Sequence, residues 1–181
     1  MGYVLDVSMP PALVLSSRSP RRASVLEQLG LAFEVRPVDI DESPLPGEDP
    51  ASMAERLARE KARVGARAEA LSFGFDTLVS HRGVILGKPA TGEEACQMLV
   101  RLAGEEHDVF TGVAAATPER IESTVERTRV RFRPFSPEEA AGYVSTGEPM
   151  DKAGAYGVQG AGAALVTAVE GDFFNVMCFP I

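Results

Sequence analysis

The chain has 181 residues, 45% of them hydrophobic and 24% charged, enough apolar surface for one compact domain over 1–181 and too much for a disordered chain. Eighteen Lys and Arg against 26 Asp and Glu give a net charge of −8. Long-range repulsion therefore argues against a nucleic-acid partner, and any polyanion bound must be small and met by a local cluster of cations.

Two cysteines, Cys96 and Cys178, and two histidines, His81 and His107, are too few for a disulfide framework and badly spaced for zinc. The segment Met1 to Pro10 carries Asp6 and no basic run. Asp6 also stands where a myristoylation signal wants Ser or Thr. No apolar stretch approaches the roughly 18 residues that span a bilayer. The expectation is a soluble, cytoplasmic protein with no membrane partner.

Ala12 to Ser16 is a short apolar run. Ser19-Pro20 then supplies an N-cap and a first-turn proline for a helix carrying Val25, Leu26 and Leu29, which Gly30 ends. Phe33 to Val38 alternates like a strand, and the acidic, proline-bearing stretch from Asp39 to Pro50 reads as loop. A helix restarts at Asp49-Pro50, with Met53, Leu57, Lys61 and Val64 on one face, and runs to about Leu71. Ser72 to Ser80 and Val84 to Leu86 form a hairpin through His81-Arg82-Gly83.

Thr91-Gly92-Glu93-Glu94 is a capping box before a helix that Gly104 stops. His107 to Ala116 reads as a strand, and so does Ile121 to Arg133, with Arg127, Arg129, Arg131 and Arg133 on one face and Thr128, Val130 and Phe132 on the other. Ser136-Pro137-Glu138-Glu139 is a second capping box, opening a helix to Gly147. A glycine-rich stretch from Gly154 to Gly162 leads to closing strands at Ala163 to Val169 and Asp172 to Cys178. Helices alternate irregularly with hairpin-like pairs, which predicts an α/β fold with a mixed sheet flanked by helices, cleft into two lobes.

Two phosphate-binding signatures fail on spacing. Gly83 to Pro89 is one residue short of a P-loop and has Pro89 in place of the hydroxyl. Gly157 to Gly162 carries its glycines in the reverse of the dinucleotide order. More informative is Ser16-Ser17-Arg18-Ser19-Pro20-Arg21-Arg22, which sets hydroxyls, guanidiniums and fresh helix N–H groups at the end of a strand. Such a corner can cradle phosphate, although an ordinary capped helix with solvated arginines has the same sequence. Asp76 is an acid inside a strand pair, where acids are disfavoured unless they have a task. Lys88, Asp151-Lys152 and Asp41-Glu42 add charge in rigid contexts. Singly each reads as surface; together they suit a metal-bound polyphosphate.

Six segments occur in order: Ser16 to Arg22, Arg56-Leu57-Ala58 with Lys61-Ala62, Asp76-Thr77, Gly87-Lys88-Pro89, Gly147 to Gly160, and Gly171-Asp172-Phe173 with Asn175-Val176. This set resembles the Maf family of nucleoside triphosphate pyrophosphatases over nearly the whole chain. The resemblance implies an ITPase-like fold, an elongated mixed sheet with a cleft between lobes, commonly a homodimer. It implies hydrolysis of a nucleoside triphosphate to the monophosphate and pyrophosphate, with magnesium or manganese as cofactor. The family's proton acceptor maps onto Asp76, a metal position beside it onto Glu42, and substrate-binding positions onto Ser17, Arg22, Lys61, Lys88 and Asp151. Three further positions divide the family by base: here they are Arg21, Thr77 and Gln159, similar to the dTTP/UTP pyrophosphatases. Members directed at methylated guanosine triphosphate would carry an aromatic residue, Gln and Glu there.

Two departures stand out. Phe73-Gly74-Phe75 sets bulky rings beside Asp76, and Cys178 occupies a place where glycine is usual. A second reading stays open at this point: a nucleotide-binding regulator of cell division or septum formation with little turnover.

Overall fold

The computed structural model describes residues 12–181, so the reading of Met1 to Pro10 lies outside the described residues. The elements are β1 (Ala12–Leu15), α1 (Pro20–Gln28), β2 (Phe33–Val35), α2 (Pro50–Gly65), β3 (Ala70–His81), β4 (Val84–Leu86), α3 (Gly92–Leu102), β5 (Glu106–Ala116), β6 (Ile121–Phe132), α4 (Pro137–Val144), β7 (Val166–Glu170) and α5 (Phe173–Val176). No helix among the described residues is long and apolar enough to cross a membrane.

Among the described residues the sheet has seven strands in the order β2-β1-β3-β5-β6-β7, with β4 also paired to β3. β1 is parallel to β2 and β3, and the remaining pairs are antiparallel, so the mixed sheet flanked by helices is as expected. Its outline follows from where the short strands stop. β1 pairs only with Ala70 to Phe73 of β3, and β4 pairs only with Val79 to His81. Between them Gly74 to Leu78 are bonded on one edge to β5 and, among the described residues, to no strand on the other. The sheet is thus wide at both ends, and among the described residues β3, β5 and β6 cross its waist.

Helix α2 lies on this waist because both surfaces are made of small residues. Ala54, Ala58, Ala62 and Gly65 form its buried face with Met53 and Leu57. A Cβ on Gly74 would stand 2.1 Å from the Ala58 carbonyl oxygen, and one on Gly112 would stand 2.1 Å from that of Ala54. No side chain fits there. A second cluster, built on Leu99, Leu102, Phe132 and Tyr156, packs α3 and α4 at one end. A third, built on Leu15, Val25, Leu26, Phe75 and Phe179, packs α1 at the other.

Several boundaries differ from the sequence reading. α2 ends at Gly65, where Ala66 turns to extended geometry, so Leu71 belongs to β3 and Val64 is exposed rather than on the packed face. β2 stops at Val35 and α4 at Val144. The Thr91 box is half formed: its hydroxyl accepts from Glu94 N, while Glu94 Oε2 takes the Ala90 amide instead. The Ser136 box is complete. The strand expected from Ala163 begins at Val166, after a 3-10 stretch over Gly160–Leu165. The strand expected at Asp172 to Cys178 is instead the short helix α5. Asp172 caps it by accepting from Phe174 N at 2.7 Å, which outweighs the strand preference of Phe-Phe-Asn-Val.

Candidate active site

Asp76 lies at the centre of the unpaired edge of β3, 7% exposed. Alternation along the strand puts it on the same face as Gly74, under α2, and Lys61 of that helix donates to Asp76 Oδ1 at 2.5 Å. The close approach that Gly74 and Gly112 permit is what brings this lysine down to the acid. Lys61 Nζ also meets Glu42 Oε1 at 2.6 Å, so one ammonium sits between two carboxylates from different elements. Burial opposes ionisation of Glu42, but the bond from Lys61 and the charges of Lys61, Lys88 and Arg22 outweigh it and hold the carboxyl below its usual range.

The loop bearing Glu42 is anchored by Arg56 of α2. Its Nε and Nη2 grip Glu48 at 2.6 and 2.8 Å, and Nη2 donates to the Ser43 carbonyl at 3.1 Å. A bidentate grip of this kind fixes orientation as well as distance.

The other face of β3 carries Phe73, Phe75 and Thr77. The two rings expected to crowd Asp76 therefore point away from it, into the cluster with Leu26 and Phe179. Arg22 enters on this side from the first turn of α1, where Ser19 caps the helix as expected. Its Nη1 donates to Ser17 Oγ at 3.0 Å, Nη2 to Thr77 Oγ1 at 3.1 Å, and Nε to the Cys178 carbonyl at 3.0 Å. Its guanidinium also lies 5.4 Å from the centre of the Phe75 ring. Cys178 has φ +69, the left-handed region that costs an ordinary residue about 1 kcal/mol or more. The glycine-like geometry at that position is therefore kept although the residue is not glycine.

Arg21, one residue earlier, pairs with Asp151 at 3.1 Å. Asp151 also accepts from Lys152 Nζ at 2.6 Å. Gly154 N donates to the Gly87 carbonyl at 3.0 Å, tying the glycine-rich stretch to the residue before Lys88, which is exposed. Gln159 is exposed on its own turn, and the hydrogen bonds of the site do not bring it to Asp76 or to the Arg21–Asp151 pair.

The residues singled out in the sequence thus form three linked sets: Asp76, Lys61 and Glu42; Arg22, Ser17 and Thr77; Arg21 and Asp151. Sequence reasoning missed what stands behind them. Thr111 faces Thr77 across the strands, bonded at 2.9 Å, and donates to the Asn175 carbonyl at 3.2 Å. Asn175 Nδ2 donates to Val109 O and Thr128 Oγ1. The available signal was a hydroxyl at a buried position of an otherwise apolar strand.

Among the described residues no group of three or more His, Cys, Asp or Glu could hold a metal ion. Glu42 and Asp76 nonetheless already share one cation, Lys61. Two carboxylates suit magnesium or manganese when phosphate oxygens and water complete the set.

Fold and site together define an α/β protein whose mixed sheet narrows at Asp76, with carboxylates and cations from several elements gathered at that open edge. The chain belongs to the Maf family: residues 12–181 match the family described as Maf-like protein. It is 49% identical to a dTTP/UTP pyrophosphatase of Moorella thermoacetica over 93% of this chain and 89% of the relative. It is likewise 49% identical to one from Anaeromyxobacter sp., covering 93% and 84%, and 47% identical to one from Symbiobacterium thermophilum, covering 93% and 88%.

Proposed function

We propose that this protein hydrolyses dTTP and UTP to the nucleoside monophosphate and pyrophosphate. The observation that carries the reading is Asp76, buried at the open edge of β3 and held by Lys61, in a chain nearly half identical to proteins named dTTP/UTP pyrophosphatase. The names of these relatives do not favour the regulator reading.

In the reaction a water oxygen bonds to the α-phosphorus and the bond from that phosphorus to the bridging oxygen breaks. The electron pair leaves with pyrophosphate, and Asp76 accepts the water's proton. A positioned general base of this kind contributes roughly a hundred- to ten-thousandfold. Lys61 fixes which oxygen of Asp76 is free. Arg22 and Lys88, with Ser17, face the phosphates, and each charge-assisted contact contributes about 1.5 to 3 kcal/mol. Glu42 and Asp76 would hold a magnesium or manganese ion, which when bound neutralises developing charge and polarises phosphoryl oxygen. Gln159, with Arg21 and Thr77, reads the base, because a side-chain amide can both donate to and accept from a uracil or thymine edge.

Pyrophosphate release measured over a panel of nucleoside triphosphates tests the reading. dTTP and UTP should exceed ATP and 7-methyl-GTP by about tenfold or more. In water enriched with oxygen-18 the label should enter the monophosphate. Label in the inorganic product, or release of orthophosphate, would overturn attack at the α-phosphorus. A tenfold advantage for 7-methyl-GTP would overturn the pyrimidine assignment alone.

A further inference from the structure

The turn that carries Gln159 is glycine-rich, and a glycine-rich turn has many conformations to lose. Two side chains outside the turn restrain it. Glu148 Oε1 accepts from the Tyr143 hydroxyl at 2.7 Å and from Gly162 N at 3.2 Å, while its Oε2 accepts from Ala161 N at 3.0 Å. The Tyr143 oxygen in turn accepts from Gly157 N at 3.1 Å. Both ends of the turn are therefore bonded to one carboxylate–phenol pair, and Gln159 lies between them.

Space is as restricted as bonding. A Cβ on Gly160 would stand 2.6 Å from Glu148 Oε2, and one on Gly162 would stand 2.5 Å from the Tyr143 oxygen. Tyr143 is buried and Glu148 half-buried, whereas Gln159 is exposed. The backbone of Glu148 extends the tie: Lys152 Nζ donates to its carbonyl at 2.5 Å and to Asp151 Oδ1 at 2.6 Å, and Asp151 holds Arg21. Two of the three residues proposed to read the base are thus referred to one glutamate.

We propose that Glu148, braced by Tyr143, is a positioning residue for base choice, holding Gln159 at the angle at which its amide meets the pyrimidine edge. The inference rests on the pyrimidine triphosphate reading. The Glu148 carboxylate is taken up by Tyr143, Ala161 and Gly162 and is not assigned to the substrate. A glutamine in its place has nearly the same shape, but its NH2 cannot accept, so at least one of the three donors must go unpaired.

UTP and CTP share sugar and phosphates and differ only at the base edge, which makes them the informative pair. In Glu148→Gln, kcat/KM for UTP should fall by about tenfold or more while that for CTP changes by less than about threefold. The Ala161 and Gly162 amides should exchange with solvent at least about tenfold faster, while β3 and β5 amides are unchanged. Tyr143→Phe keeps the carboxylate and should lower the UTP to CTP ratio by about threefold, so it carries the test if Glu148→Gln folds poorly. Equal losses with both substrates, or a ratio within about twofold of wild type in both variants, would overturn the proposal. Wild-type protein that does not prefer UTP to CTP would remove the underlying reading as well, and shows this before any variant is made.

Discussion

At the scale of single residues the cations of the site are not equivalent. Arg22 is 8% exposed and spends its guanidinium on Ser17, Thr77 and the Cys178 carbonyl. Arg22→Ala should lower both turnover and stability, the latter by about 1 to 3 kcal/mol, because Ser17, Thr77 and the Cys178 carbonyl, two of them buried, each lose a bond. Lys88 is exposed, so Lys88→Ala should lower turnover with little change in melting temperature. Arg129 is 45% exposed on β6, with carboxylates no nearer than 3.8 Å. Arg129→Ala should change stability by less than about 0.5 kcal/mol and turnover not at all. Equal effects in all three, measured as pyrophosphate release and thermal midpoint, would mean that no phosphate cradle exists. Asp76→Asn should cost about a hundredfold or more in kcat with the fold retained, since an amide cannot take the water's proton. Asp76 was legible in the sequence because an acid inside a strand is conspicuous. Thr111 was not, and Asn175 entered only within a family pattern without its bonding, since a buried hydroxyl or amide reveals its partner only once strands from distant parts of the chain are side by side.

At the scale of elements, α2 and the waist of the sheet act as one unit. Gly112→Ala would place a methyl 2.1 Å from the Ala54 carbonyl oxygen, and α2 must lift to admit it. The expected cost is at least about 1 to 3 kcal/mol by chemical denaturation, with turnover reduced further because Lys61 rises with the helix. Unchanged stability would show that the helix is not seated as described. Helix starts were legible because Ser19, Asp49 and Ser136 are local caps that act within a turn of themselves. Ends were less so. Arg67, Glu69 and Ala70 are good helix formers, yet α2 stops at Gly65, whose bare backbone lies against the Ser16 and Ser72 hydroxyls from distant parts of the chain. The same holds for α5, whose two phenylalanines read as strand until Asp172 is seen to cap them.

At the scale of the molecule, acid stability should be governed in part by a buried ring that the site does not use. His107 is 3% exposed, bonded to the Tyr156 hydroxyl at 2.8 Å. Burial, with the nearby His81 ring and against the pull of Asp108, lowers its pKa from 6.5 to about 4. The unfolded chain therefore takes up this proton first. Stability from the neutral ring is complete above about pH 6.5 and falls by about 3 kcal/mol as the pH drops toward 4. Denaturation midpoints measured across that interval should fall with pH in wild type and flatten in His107→Leu. The mixed sheet was legible from hairpin signals and irregular alternation of elements. Its waist was not, because that depends on which residues of β3 the short strands β1 and β4 leave unpaired. In mechanical terms the three strands crossing there are a narrow neck between two broader ends of the sheet. Arg22 enters from α1 on one side and is bonded to Thr77 in the neck itself, while Lys88 follows β4 on the other, so a triphosphate held by both would bridge the neck.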